Sequence, residues 1–440
     1  MTTNHGDLIG SEACRVCLHL FSVICFGLMT GCYASRMVDI DAGAAEESDP
    51  PDERPEQGSS DVEDDAYIGV DFLVVVDNSF SMAEEQWMLA NHFFPLIRKL
   101  IQPITTTDST QRFSPIDSIH VGVVSTNMGL QYGEHGKIDG FQDVKKCSNG
   151  GGDDGKLLGM QRFFPVKEDD MMCGPERVQC PEGYRCIDDS CDRIDSEPPV
   201  FCEERSEFSR IGEASGDSND DLASQVACLS VIGTDGCGIE QQLEAAVRGV
   251  ERNMDYFLKP EHLLVIIIVS DEEDCSIENN ALFHTREWIS GASGFLNVAC
   301  NINAENESYL FDTNRYFEKL VAVKGGDRDG VLFSAIIGVP PVAACQGSTE
   351  TLDAERCLHR REMQLNVEEF SVDKGTIHHF APVCTRSDAA GNRVTAARPG
   401  RRFVKVAESF GANGFVYSIC NEDWSPLFNW IGAAIAQKVR

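Results

Sequence analysis

Ile68–Met82 reads IGVDFLVVVDNSFSM. Its first ten residues form a near-continuous apolar run rich in β-branched side chains, the pattern of a strand buried on both faces. The run ends in a carboxylate. Directly after it, Glu84–Ile101 carries Trp87, Leu89, Phe93, Phe94, Ile97 and Leu100 on one stripe, which predicts a helix. His262–Ser270, HLLVIIIVS, is the strongest strand signal in the chain, and it too runs into acids, Asp271-Glu272-Glu273-Asp274. Further strands are expected at 119–127, 331–339 and 415–419, with helices at 240–257, 315–323, 402–410 and 426–439. Strands alternating with helices predict an α/β domain built on a doubly wound, Rossmann-like, mostly parallel sheet covered on both faces.

Ligands of such sheets bind beyond the carboxyl ends of the strands. Asp77, Ser79 and Ser81 lie there, alternating with two other residues between a strand and a helix, so a tight turn can aim three oxygens at one point. One carboxylate and two hydroxyls, with water completing the shell, suit a hard divalent cation: Mg2+, or Ca2+ or Mn2+ in its place. In a doubly wound order the 262–270 strand lies beside the first, and Asp271 reaches the same cation. Two acids at neighbouring strand ends repel each other, and a cation relieves that repulsion. The plainer alternative is that Asp77 and Asp271 only cap helices or turns. Glu273 and Asp274 read as solvated, or as part of a second cation site.

The DNSFS and SDEEDCS stretches together resemble the von Willebrand factor type A domain, and in particular cysteine-rich bacterial lipoproteins that carry it. The resemblance covers roughly Asp71–Lys438 without the insertions. It implies a metal-ion-dependent adhesion site built from Asp77, Ser79, Ser81, a Thr from a middle loop, and Asp271. It also implies recognition of a protein ligand whose acidic group completes the metal shell. The middle Thr is where this chain departs. Counting back from Leu243 in GTDGCGIEQQLEAA lands on Cys237, so Thr234 nearby is taken as the ligand, with Thr126 at the end of the second strand as the alternative.

The chain has 440 residues, of which 42% are hydrophobic, enough for a sizeable core, and a net charge of −34 that argues against a nucleic-acid partner. The charge is uneven. Residues 39–65 hold twelve acids and one Arg among Pro, Gly and Ser, a composition that cannot offset its ordering entropy. Before it, the apolar stretch Val16–Met29 leads into Leu28-Met29-Thr30-Gly31-Cys32, which is similar to the bacterial lipobox, where cleavage precedes the cysteine and the cysteine carries the lipid. The expected organisation is a lipoprotein signal peptide (1–31), an acidic tether from Cys32 (32–66) and a vWA-like domain (67–440). That domain carries a Cys-rich insertion at about 128–224. The protein is then held at the cell envelope, in contact with the membrane only through its lipid, or is secreted.

Eighteen cysteines point to an oxidising compartment. Cys173–Cys191, with four cysteines among Pro, Gly and Asp, reads as a disulfide-stapled module, with a zinc knuckle as the rival. Locality suggests Cys228–Cys237 and Cys345–Cys357, and the fold allows Cys275–Cys300 and Cys384–Cys420. No P-loop, dinucleotide fingerprint or G-x-S-x-G elbow is present. Gly216-Asp217-Ser218 resembles a GDS-esterase opening but lacks the apolar strand that should precede it, and His378-His379 lacks HExxH spacing. The expected function is cation-dependent binding, not catalysis. The alternatives are a structural lipoprotein with a purely stabilising cation and, more remotely, an esterase using Ser218.

Overall fold

A computed structural model describes residues 66–101, 118–129, 152–158, 184–187, 190–193, 210–211, 219–282, 298–348, 351–372, 375–387 and 393–440, apart from residues 256 and 280 and with a few isolated positions besides. The expected signal peptide, Cys32, the tether, most of the 128–224 insertion and Ser218 lie outside these residues.

The apolar run at 69–76 forms strand β1 (Gly69–Val76), and every residue of it is buried. It passes through Asp77 and a short turn into helix α1 (Ala83–Ile101). Next come β2 (Ile119–Ser125), a small hairpin of β3 (Tyr184–Ile187) and β4 (Ser190–Arg193), the two-residue β5 (Arg210–Ile211) and α2 (Asn219–Cys228). After them come α3 (Gln242–Asn253), β6 (His262–Val269), α4 (Val298–Ile302), α5 (Asn314–Ala322), β7 (Val331–Ile337) and α6 (Ala354–Leu358). The last part holds β8 (Val367–Val372), β9 (Gly375–Phe380), β10 (Cys384–Ser387), β11 (Arg393–Ala397), α7 (Arg401–Phe410), β12 (Gly414–Ser418) and α8 (Ser425–Lys438).

The main sheet runs β12-β7-β6-β1-β2-β5. The first five of these strands are parallel, and β5 pairs antiparallel with β2. From β1 the chain goes to β2 on one side and later returns to β6 on the other, so the strand order turns between β1 and β6. Neighbouring residues of β1 face opposite layers. Phe72 meets Phe93 of α1 edge-on at 5.5 Å, and Phe93 in turn lies 6.2 Å from Phe428 of α8. Leu73 faces α3, which comes so close that a Cβ on Gly249 would stand 3.2 Å from both Leu73 and Val124. Ile266 and Phe333 lie in the same row as Leu73, and Phe333 stacks on Phe410 of α7. Helices therefore cover both faces, which is why β1 and β6 are apolar throughout and not alternating.

Four strands between 367 and 397 form two antiparallel pairs that the sequence did not suggest. His378 and His379 lie on β9. The helix expected from Glu240 begins two residues later, at Gln242, because Gln241 donates its N–H to Thr126 O instead of entering the helix. Bridges join Cys275 to Cys300, Cys345 to Cys357 and Cys384 to Cys420, and Cys228 and Cys237 are also disulfide-bonded. This cysteine usage fits a compartment outside the cytoplasm. Among the described residues no helix is long and apolar enough to cross a membrane.

Phe72→Ala removes a fully buried ring at the centre of this packing. It should cost about 3–5 kcal/mol in urea unfolding. A loss below about 1 kcal/mol would contradict the layer assignment.

Candidate metal centre

Parallel pairing places the carboxyl ends of β1 and β6 side by side, with Val76 opposite Val269. Asp77 and the Ser270-Asp271 pair therefore emerge together. Asp77 is fully buried. Its Oδ1 accepts the Ser79 N–H at 2.8 Å, and its Oδ2 accepts the Ser270 hydroxyl at 2.6 Å. The turn brings Ser79 Oγ to 3.3 Å from Ser81 Oγ, and the Ser81 hydroxyl bonds the Asp271 carboxylate. Asp77, Ser79, Ser81 and Asp271 thus occupy one crevice, at the place where the strand order turns.

The loop between α2 and α3 closes the crevice from a third side. Gln86 of α1 holds it: its amide nitrogen donates to Asp77 O and Gly233 O, and its oxygen accepts the N–H groups of Ile232 and Gly233. Gly236 N–H donates to Asn78 O at 2.8 Å, and a Cβ on Gly236 would stand 2.1 Å from Asn78 Oδ1, so this close approach requires glycine. Thr234 is half-buried on the loop, and among the described residues no hydrogen bond joins it to Asp77, Ser79, Ser81 or Asp271. Thr126 is fully buried, and its hydroxyl has no hydrogen-bond partner in the protein.

The same loop contributes Glu240, which the sequence reading passed over. Its backbone O accepts the Cys275 N–H at 2.8 Å, which ties the loop to the chain beyond Asp271. Its carboxyl is 1% exposed, and Oε2 has no hydrogen-bond partner in the protein. Asp271 Oδ1 and Glu85 Oε2 are likewise buried and unpartnered. Burial, then the charges of Asp77, Glu272 and Asp271, push the Glu240 carboxyl well above the usual carboxylate range. Burial, then Glu272, Asp77 and Glu85, do the same to Asp271. Burial also raises Asp77 despite its donors from Ser270 and Ser79. Glu85 is pushed up to about 7, again by burial first, with the Thr395 hydroxyl holding it down and the Glu84 charge adding to the rise. Carboxylates and hydroxyls around unmet lone pairs are the donor set of a hard divalent cation.

Glu273 and Asp274 correct the expectation of solvated acids or a second cation site, since both are fully buried. Glu273 caps α7 by accepting the N–H groups of Arg401 and Arg402, each at 3.1 Å. Asp274 accepts the Leu243 N–H at the start of α3 and pairs with Arg402 Nε at 2.9 Å. Helix N-termini and arginines meet these charges.

A separate buried group, Asp71, His120 and His262, could hold a metal ion: its ligand atoms lie within 4.8 Å of one another. It sits at the amino ends of β1, β2 and β6, away from Asp77. There Asp71 Oδ1 is 2.8 Å from His262 Nδ1 and 2.9 Å from His120 Nδ1, and Oδ2 accepts the Lys259 N–H. Burial works against the Asp71 charge, but these hydrogen bonds hold its pKa below the usual value. In contrast to Asp271 and Glu240, this carboxylate has both oxygens met by protein donors. The signal for the group was the lone Asp inside an apolar strand, in register with His120.

No protein-family model matches the chain, and no match is found among curated proteins.

The raised carboxyls fix a pH dependence. A folded-state pKa above the unfolded one means that the folded protein holds a proton the unfolded chain releases. Stability from that group is complete below the unfolded value and is lost as pH rises through the folded one. For Glu85 the window runs from 4.5 to about 7. In chelator, Glu85→Gln should therefore reduce the fall in unfolding free energy between about pH 5.5 and about pH 8 by on the order of 2 kcal/mol. An unchanged slope in urea titrations at the two pH values would refute the assignment.

Proposed function

We propose that this chain is an extracytoplasmic binding module of the von Willebrand factor A type. In this reading it holds a divalent cation between Asp77, Ser79, Ser81 and Asp271 and uses it to recognise a protein ligand. The observation that carries the reading is the buried, unpartnered Asp271 Oδ1 beside Asp77, at the carboxyl ends of adjacent parallel strands. An isolated carboxylate in such a place is costly unless a positive charge meets it. A doubly wound topology is supported by the five parallel strands, by the turn in strand order between β1 and β6, and by helices on both faces. Binding is preferred to catalysis because the sequence carries no P-loop, dinucleotide fingerprint or nucleophile elbow, and the resemblance implies recognition.

A cation held there keeps open positions, and the resemblance implies that an acidic group of the partner fills one. Phe80, between the two serines, is 44% exposed and presents an apolar ring at the rim. The proposed setting is the cell envelope, with the lipid at Cys32 as the only membrane contact and no nucleic-acid partner. A second reading, in which the cation only stabilises the loops, is favoured by one observation. The loop that carries Thr234 also brings in the buried Glu240, whose Oε2 has no hydrogen-bond partner in the protein.

Chelated protein should respond to Mg2+, Ca2+ or Mn2+ in thermal unfolding. At a cation concentration a hundred times Kd the stabilisation is about 2.7 kcal/mol, a rise in Tm of roughly 5 °C. Asp77→Ala and Asp271→Asn should abolish the rise. A wild-type protein that responds to none of the three cations would eliminate the proposal. Cation-dependent capture of an envelope protein, lost in chelator, separates recognition from pure stabilisation.

A further inference from the structure

We propose a second metal site, separate from the crevice: Asp71, His120 and His262 bind a transition-metal ion, Zn2+ foremost, which clips together the amino ends of β1, β2 and β6. The inference is independent of the cation-binding reading above, because it uses other residues at the opposite end of the strands.

Strand register brings the three side chains together. Asp71 lies opposite His120 of β2, and Gly69 lies opposite His262 of β6. Residues 69 and 71 of one strand point to the same face, so Asp71 and both imidazoles converge there. Their ligand atoms all lie within 4.8 Å of one another. Asp71 Oδ1 is 2.8 Å from His262 Nδ1 and 2.9 Å from His120 Nδ1, and Phe257 O lies 2.8 Å from the same His120 nitrogen. Metal bonds of about 2.0–2.1 Å that meet near a right angle put ligand atoms roughly 2.9 Å apart, and tetrahedral bonds put them about 3.4 Å apart. The observed spacing fits the first geometry and reaches the second by a shift of about half an ångström. The surroundings hold the ligands in place. Lys259 N–H binds Asp71 Oδ2 and so turns Oδ1 toward the imidazoles. A Cβ on Gly69 would stand 2.5 Å from His262 Nε2, so glycine is what leaves room for that ring.

The class of metal follows from the donors. Two imidazoles and one carboxylate suit Zn2+ and its neighbours, whereas Mg2+ and Ca2+ take shells of oxygen. The hydrogen bonds to Asp71 do not oppose this. Each holds a proton where a metal ion can stand, and metal binding sends that proton to Nε2 or to solvent. Asp71 is fully buried, and His120 and His262 are 6% and 3% exposed, so the site is closed and its role is to fasten strands. Packing alone gives no reason for these residues, since buried charged pairs add little stability over apolar side chains of similar size.

Calorimetric titration of the full chain with ZnCl2, in excess MgCl2, tests this. Wild type should show a zinc site that Asp77→Ala keeps and that His120→Asn and His262→Asn each weaken at least about a hundredfold. Asn offers an N–H near the place of Nδ1, so the bond to Asp71 is kept, and unchanged urea unfolding in chelator reports an intact fold. Diffraction at the zinc edge from wild-type crystals soaked with ZnCl2 locates the ion without any variant. The peak is expected between Asp71 Oδ1 and the two Nδ1 atoms. No zinc binding by wild type, unchanged affinity in both Asn variants, or zinc peaks only elsewhere would overturn the assignment. The crevice reading stands or falls separately, on the Mg2+ response and its loss in Asp77→Ala.

Discussion

A carboxylate taken out of water costs free energy until a donor or a positive charge meets it, and the two ends of this sheet are organised by that cost. At the amino ends, Asp71 sits inside an apolar strand because His120, His262 and the Lys259 N–H converge on it. Beyond β6, the acidic run divides by residue. Glu273 and Asp274 turn toward helix N-termini and arginines, and they fasten α7 and α3 to the sheet. Asp271 turns into the crevice beside Asp77, and its Oδ1 is left without a protein donor.

Gln86 and the Gly236–Asn78 contact hold the α2–α3 loop against the first strand's turn, so Glu240 and Asp77 are kept together by a network that spans three separate stretches of chain. Ser270 donates to Asp77 and also accepts from Gln242 at the start of α3. Asp77 is thus held through both of its oxygens, while Asp271 Oδ1 keeps no protein donor. The Arg386–Glu84 pair, at 2.7 Å, and the Arg398 N–H to Asp271 O bond bring the 384–398 segment to the same edge.

Much of this was legible in the sequence, for a local reason. β1 and β6 are continuous apolar runs, their ends are marked by acids, and adjacent parallel pairing follows from the alternation of strands and helices. Asp77, Ser79, Ser81 and Asp271 could therefore be placed at one strand edge. Glu240 could not, because IEQQLEAA reads as the start of an amphipathic helix, and only the bonds to Cys275 and Thr126 hold residue 240 outside it. Glu273 and Asp274 were misread because their partners, Arg401 and Arg402, lie 128 residues further along the chain. The strands between 367 and 397 carry little apolar alternation, and their pairing depends on contacts that the period does not encode.

The central claim is that a divalent cation completes the crevice between β1 and β6. Mn2+ is an oxygen-seeking ion of the same class and a strong anomalous scatterer, so crystals grown or soaked with it locate the site directly. An anomalous peak is expected between Asp77 and Asp271, close to the Ser79 and Ser81 hydroxyls. A crevice without a peak, or density only at Asp71, His120 and His262, would contradict it.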